Sequence, residues 1–99
     1  MAYQILYTTR AGKDLEELRK DKSQKRVLNA VCKAIRFLAE NPKHPSLKTH
    51  QYHSLPEIFS GQKIWEAYAQ DNTPAAYRIF WSYGPTKEQI TIIAITPHP

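Results

Sequence analysis

The chain has 99 residues, 41% of them apolar and 11% aromatic, so we expect one hydrophobic core and a single domain spanning residues 1–99. Lysine and arginine outnumber aspartate and glutamate by 14 to 9, and this basic excess favours a polyanion or an acidic protein as partner. There is no apolar run of membrane-spanning length, no signal-peptide pattern and one cysteine, which predicts a cytoplasmic protein with no membrane partner and no internal disulfide.

The chain opens with a short strand pattern followed by a helix pattern. Residues 3–7 alternate in the manner of a strand. Thr8 or Thr9 is placed to cap the next helix, because a hydroxyl oxygen accepts a free backbone N–H. The helix itself is predicted over residues 10–20, where apolar side chains recur at spacings of three and four.

A second helix is predicted from a wide apolar stripe at helical period. It begins at Asp21 or Ser23 and ends before Pro42, because proline disfavours helix in the residue before it. Cys32, within this helix, is expected to be a packing residue. The two helices share an apolar seam and are predicted to form a helical hairpin. The segment 41–61 is expected to be mostly connecting, with room for a short strand in 48–53.

Three further strand patterns follow, over residues 62–69, 75–83 and 89–96. Short links join them, so they are predicted to form an antiparallel meander. We expect the N-terminal strand to join the same sheet and the helical hairpin to cover one face. The predicted fold class is therefore α+β, with the order β-α-α-β-β-β and a twisted antiparallel sheet of about four strands.

Arg78 needs a chemical explanation, because it stands inside an apolar strand pattern, where a charge is costly unless it is paired or faces an open surface. Alternation puts Arg78 and Phe80 on one face and residues 77, 79 and 81 on the other. The second set is the better match for the helices, so Arg78 is expected on the open, concave face. Two interpretations stay open: the guanidinium contacts phosphate oxygens, or it forms a structural salt bridge with Glu66 on the preceding strand.

A cationic segment without acidic residues follows the second helix. It contains Lys43, His44, Lys48, His50, Gln51, Tyr52 and His53. Such a segment can bind a polynucleotide backbone, with Tyr52 stacking on a base, or it can be a solvated basic loop. We predict RNA contacts at Lys43, His44, Tyr52 and Lys63. Three histidines without a cysteine or carboxylate nearby match a zinc site poorly, so we expect no metal and no other cofactor.

Two further features concern the closing strands. Trp65 and Trp81 stand on successive predicted strands and are expected to pack in the core or against each other. His98 follows the last strand pattern, and an imidazole can give or take a proton near neutral pH. The alternative for His98 is a frayed tail.

These features, in this order, resemble the RelE/ParE superfamily of toxins from bacterial toxin–antitoxin modules. The resemblance covers nearly the whole chain. It implies a fold in which two N-terminal helices pack on a twisted antiparallel sheet. The segments that carry it are residues 3–8, 11–15, 38–42, 45–48, 64–68, 76–81 and 92–95, with a histidine near the end.

The resemblance implies one of two activities. RelE-like members enter the ribosomal A site and cut mRNA there, whereas ParE-like members inhibit DNA gyrase and cleave nothing. Both are neutralised by an antitoxin whose flexible arm wraps the toxin. We favour a ribosome-dependent mRNA endonuclease, with the ribosome, mRNA and a cognate antitoxin as partners. A gyrase inhibitor and a non-toxic relative of the same fold remain the alternatives.

For a nuclease, the resemblance implies metal-free attack of a ribose 2′-oxygen on the adjacent phosphate, which needs a base, an acid and cations. Arg78 matches the family's strand arginine and would stabilise the phosphate. His98 matches the C-terminal histidine of some members and would act as acid or base. Lys48 falls where members carry cations after the helical hairpin, and His50 would share the proton transfer. Pro99 departs from the pattern, since many nuclease members have a tyrosine or a second basic residue there.

Overall fold

The computed structural model describes residues 2–53 and 62–98. Within these ranges, two helices and five strands follow one another: β1 (Gln4–Tyr7), α1 (Thr9–Lys20), α2 (Lys25–Glu40), β2 (His50–Tyr52), β3 (Ile64–Tyr68), β4 (Tyr77–Tyr83) and β5 (Gln89–Pro97). Two 3-10 turns, Lys22–Gln24 and Pro45–Leu47, precede α2 and β2. The predicted connecting segment 41–61 thus includes the short strand β2, and its part 54–61 lies outside the described residues, as does Pro99.

The five strands form one sheet in the order β1-β5-β4-β3-β2. β2, β3, β4 and β5 pair antiparallel in sequence order, whereas β1 runs parallel to β5, with Gln4 opposite Gln89. The predicted α+β class is confirmed. The sheet has five strands rather than about four. It is mixed rather than wholly antiparallel, because β5 lies beside β1 and runs in the same direction.

Helix α1 is attached to β5 by two side chains. Thr8 caps the helix, since its Oγ1 accepts the N–H of Ala11 at 3.0 Å, and the same hydroxyl donates to the carbonyl of Ile93 at 2.7 Å. The β4–β5 register skips Ile93, which makes this residue a bulge. Asp14 accepts the backbone N–H of Ile95 at 2.9 Å. The predicted cap at Thr8 is confirmed, and it also binds the bulged strand.

The helices cover one face of the sheet. Their shared core with the sheet consists of Ala11, Leu18, Val31, Ala34, Leu38, Leu47, Ala67, Ile79, Trp81, Ile90, Ile92 and Ile95. Tyr77 packs against this core, so the strand residues predicted to face the helices do so. A smaller apolar cluster, formed by Ile64, Phe80, Ile93 and Ala94, lies apart from this core, and Tyr52 packs on it.

Three residues outside that cluster test further expectations. Trp65 and Trp81 are direct cross-strand partners with ring centroids 6.2 Å apart, which confirms their packing role. Cys32, expected to pack, is exposed, because it falls beside rather than within the apolar stripe of α2. No helix in the described ranges is long and apolar enough to cross a membrane.

Candidate functional site

Charged side chains from β2, β3 and β4 meet around Arg78. The strand register brings them together: Arg78 is opposite Tyr68, and Glu66 is opposite His50. Because side chains two positions apart share a face of a strand, Glu66 and Tyr68 both lie on the Arg78 side. We call this group the Arg78 cluster, and it consists of Lys48, His50, Glu66, Tyr68, Asp71 and Arg78.

The guanidinium of Arg78 is buried. Its side chain is 9% exposed, and that of Glu66 is 7% exposed. Arg78 lies on the predicted face of β4, away from the helix-facing residues, but the Tyr68 ring covers it, with the guanidinium carbon 3.7 Å from the ring centroid. The expectation that Arg78 faces an open surface is therefore wrong, because its cross-strand neighbour carries a large aromatic side chain.

Arg78 is held mainly by backbone oxygens. Its Nη1 donates to the carbonyl of Gln70 at 2.8 Å, with longer contacts to the carbonyls of Ala76 and Tyr77. Its Nε lies 3.7 Å from Oε2 of Glu66, an ion pair that is too long for a hydrogen bond. Among the described residues this buried Nε has no hydrogen-bond partner. The salt bridge considered from the sequence is thus present, and one guanidinium donor stays unused.

Glu66 lies between the guanidinium of Arg78 and the imidazole of His50. Its Oε2 faces Arg78, and its Oε1 is 2.8 Å from Nε2 of His50. The other ring nitrogen of His50, Nδ1, is 3.0 Å from the carbonyl oxygen of Lys48. Both ring nitrogens therefore face oxygen acceptors, and the imidazolium form satisfies both, because it donates from each nitrogen. The His50 side chain is half exposed, so an imidazole lies at the surface beside a buried carboxylate.

Lys48 is placed at the edge of the cluster by Asp71. Its ammonium donates a hydrogen bond to the Asp71 carboxylate and lies 5.8 Å from the centroid of the Tyr68 ring. This hydrogen bond raises the pKa of Lys48 and lowers the pKa of Asp71. Lys48 has a left-handed backbone (φ 46°) directly after the 3-10 turn, and the chain enters β2 from there.

Two further predicted site residues lie at strand ends: Tyr52 ends β2, and His98 follows β5. His98 is exposed, and its backbone N–H donates to the carbonyl of Ala76 at 2.8 Å. Since Thr96 is opposite Arg78, continued alternation puts His98 on the Arg78 side of the sheet. Tyr52, predicted to stack on a base, packs edge-on against Phe80 with centroids 4.8 Å apart.

Lys43, His44 and Lys63 lie elsewhere. Lys43 and His44 line an open cavity of about 600 Å³, together with Lys48 and the helix-facing tryptophans. His44 also caps the 3-10 turn, since its Nδ1 accepts the N–H of Ser46 at 3.1 Å, and its ring stacks on Phe37 at 4.1 Å. Lys63 is exposed just before β3. The structure thus gathers Lys48 and His50 around Arg78 and leaves these three at other positions.

Sequence reasoning missed Tyr68 and Asp71, and it considered Glu66 only as a structural partner of Arg78. Strand alternation could have identified Tyr68, which stands two positions after Glu66 on the same strand face. Asp71 has no comparable signal, because it is 23 positions from Lys48 and lies in the loop between β3 and β4. In the described part of the chain, no three His, Cys, Asp or Glu side chains are grouped as a metal site would require.

Comparison with solved structures identifies proteins of the same architecture. A YoeB/ParE toxin from Agrobacterium tumefaciens superposes with a TM-score of 0.71 at 12% identity, over 97% of this chain and 99% of that one. A chain of the archaeal RelE–RelB complex from Pyrococcus horikoshii OT3 gives 0.65 at 15% identity, over 98% and 96%. A chain of the E. coli DinJ–YafQ toxin–antitoxin complex gives 0.64 at 15% identity, over 99% and 94%.

No protein-family model and no curated protein sequence matches the chain. At these identities the structural likeness shows the fold. The chain has the fold of the RelE/ParE toxin superfamily, and the resemblance drawn from the sequence is confirmed at that level.

Proposed function

We propose that a chain with this fold and the Arg78 cluster is the toxin of a type II toxin–antitoxin module, and that it cleaves mRNA on the ribosome. The fold shared with YoeB, RelE and YafQ toxins supports the first part. One observation carries the second part: a guanidinium and an imidazole flank the buried carboxylate of Glu66, and an ammonium that is held by Asp71 lies at the edge of the same cluster. A surface that only binds a protein does not need a proton donor beside two phosphate-binding cations.

The proposed reaction is attack of a ribose 2′-oxygen on the adjacent phosphorus. The new 2′-oxygen–phosphorus bond replaces the bond to the 5′-oxygen, which leaves a 2′,3′-cyclic phosphate and a 5′-hydroxyl. His98, on the Arg78 side of the sheet, takes the proton of the 2′-hydroxyl. His50 gives its proton to the departing 5′-oxygen by releasing its hydrogen bond to Glu66. Lys48 and Arg78 neutralise the charge that builds on the phosphate.

The burial of Arg78 adds a step to this scheme. A phosphate at the surface first meets Lys48 and His50, whose side chains are 58% and 49% exposed. The Tyr68 ring must then move off the guanidinium before Arg78 can bind phosphate with two nitrogens. The unused Nε donor shows that the present contacts do not satisfy this guanidinium, so the rearrangement has a ready acceptor in the arriving phosphate.

Induction of the chain alone, with mapping of transcript 5′-ends, tests the proposal. We expect growth arrest and cuts inside translated codons. Arg78→Ala and Lys48→Ala should abolish both, whereas Lys87→Ala, which removes an exposed lysine from the β4–β5 turn, should change neither. Because Arg78 is buried, circular dichroism of the purified variant must show that it folds. Arrest and cuts that persist in a folded Arg78→Ala protein would reject the assignment of the site.

Inhibition of DNA gyrase is the second candidate, and the burial of Arg78 against Glu66 favours it, because such a pair can be purely structural. Induction would then give filamentous cells and a DNA-damage response with intact transcripts. A non-toxic relative would cause no growth defect. In either toxic case we propose a cognate antitoxin as partner, by analogy with the RelE–RelB and DinJ–YafQ complexes, and its coexpression should restore growth.

A further inference from the structure

The outward side of α2 carries concentrated positive charge. Between Asp21 and Glu40 the sequence has no carboxylate. It has five cationic residues there, all exposed, one on the 3-10 turn just before α2 and four on the helix. We call them the basic face of α2: Lys22, Lys25, Arg26, Lys33 and Arg36. Helix α1 differs, because its four cations alternate with three acidic side chains. The charge excess of the chain is therefore localised on α2 and the turn before it rather than spread over the surface.

This charge is not balanced within the protein. In residues 2–53 and 62–98, no cation of the basic face takes part in an ion pair. Lys33 lies 5.7 Å from the centroid of the Phe37 ring, which is a weak contact for an exposed ammonium. Like charges three and four positions apart on a helix destabilise it by a few tenths of a kcal/mol per pair, about as much as opposite charges stabilise it. The counter-charge for this face must come from solvent ions or from a partner.

The composition of the face favours nucleic acid over protein as that partner. Protein interfaces are centred on buried aromatic or aliphatic anchors. Apart from its cations, the exposed residues of α2 between Lys25 and Arg36 are Asn29 and Cys32, and neither is a large apolar side chain. Phosphate contacts need only lysine and arginine. From Lys25 to Arg36 the helix is about 16 Å long, enough to meet several successive phosphates.

We propose that the basic face of α2 binds the phosphate backbone of a folded RNA, without regard to base sequence and separately from the Arg78 cluster. The separation follows from the architecture, because α2 packs on the face of the sheet opposite Arg78. This inference rests on the proposed function for the identity of the natural ligand, which would be the RNA framework of the ribosome.

The test is binding to a 2′-O-methyl RNA hairpin over a range of salt concentrations, with the full-length protein. The variant Lys25→Ala/Lys33→Ala removes two charges from the basic face. The control Lys13→Ala/Lys20→Ala removes two exposed lysines from α1, with the same change in net charge. Alanine is the best helix former, so both variants should fold. We expect the slope of log K against log salt to fall by about 2 in the first variant and by less than half of that in the control.

Equal slopes for the two variants would overturn the proposal, because they would show attraction by net charge alone. A preference for one hairpin sequence would also overturn it. Since the hairpin has no free 2′-hydroxyl, it cannot undergo the proposed cleavage, and binding is measured even if the chain proves not to be a nuclease. Failure of RNA binding by the basic face can thus be distinguished from failure of the proposed mRNA cleavage.

Cys32 offers a second readout, because it is the chain's single cysteine and is exposed within the basic face. A photo-crosslinker attached to Cys32 should form an adduct with ribosomal RNA when the labelled protein is irradiated with purified ribosomes. An adduct mainly with ribosomal protein, or an adduct yield that Lys25→Ala/Lys33→Ala leaves unchanged, would count against RNA binding by this face.

Discussion

Replacing Glu66 with glutamine tests whether the buried carboxylate compensates the charge of Arg78. The two side chains are 7% and 9% exposed, and removing one partner of a buried ion pair costs roughly 3–5 kcal/mol. Arg78 keeps its hydrogen bond to Gln70 and the Tyr68 ring, so we expect the lower end of that range, about 3 kcal/mol. For a domain of this size, such a loss lowers the melting temperature by roughly 12–24 °C.

The matched control is the double variant Glu66→Leu/Arg78→Met, which removes both charges and keeps the volume. Replacing a buried pair with apolar side chains is often neutral or stabilising, so the double variant should lie within about 1 kcal/mol of the wild type. Urea denaturation followed by circular dichroism measures both variants. A Glu66→Gln protein within about 0.5 kcal/mol of the wild type, or a double variant no more stable than the single one, would refute the reasoning. A stable double variant that no longer arrests growth would show that the pair serves activity rather than stability.

Three further predictions concern stability and can be checked by the same denaturation assay. Thr8→Ala removes a helix cap that also binds the β5 bulge and should cost about 1–2 kcal/mol, while Thr8→Ser should retain most of the stability. The hydrogen bond that Asp71 accepts from Lys48 lowers the pKa of the Asp71 carboxyl. The stabilisation from this hydrogen bond is therefore complete above the usual aspartate pKa of about 3.9, and it is lost as the pH falls through the lowered pKa. The difference between wild type and Asp71→Asn should therefore shrink on acidification, and a constant difference would contradict this. Ala75 has a left-handed backbone (φ 54°), so Ala75→Gly should stabilise by about 0.5 kcal/mol, whereas Ala76→Gly should destabilise.

The elements that sequence patterns located well are those set by local chemistry. The helix predicted over residues 10–20 is observed at Thr9–Lys20, because an apolar stripe and a hydroxyl cap act within one or two turns. The strand predicted over 89–96 is observed at Gln89–Pro97 for a similar reason, since alternation and the turn before it are local signals. The pairing of β1 with β5 has no local signal, because its partners lie 85 positions apart.

The candidate site was predictable in part. Alternation correctly gives the face of β4 on which Arg78 lies, because that face depends only on position along the strand. Alternation does not give the burial of Arg78, which depends on the residue that the β3–β4 register places opposite Arg78. Here that residue is Tyr68, and its ring lies over the guanidinium. The link between Lys48 and Asp71 likewise depends on where two loops meet in space.

The position of β5 at the interior of the sheet has a consequence for folding during synthesis. β5 lies between β1 and β4, yet it is made after all the other strands. Until it emerges, β1 has no neighbour in the sheet and Arg78 has no Thr96 beside it. A chain that still lacks β5 cannot complete the sheet, because β5 joins β1 to β4. Once β5 is made, its pairing with the distant β1 is slow, because a long loop must close first. If the protein acts on translating ribosomes, it becomes competent to do so only after nearly all of this sequence has left the ribosome that made it.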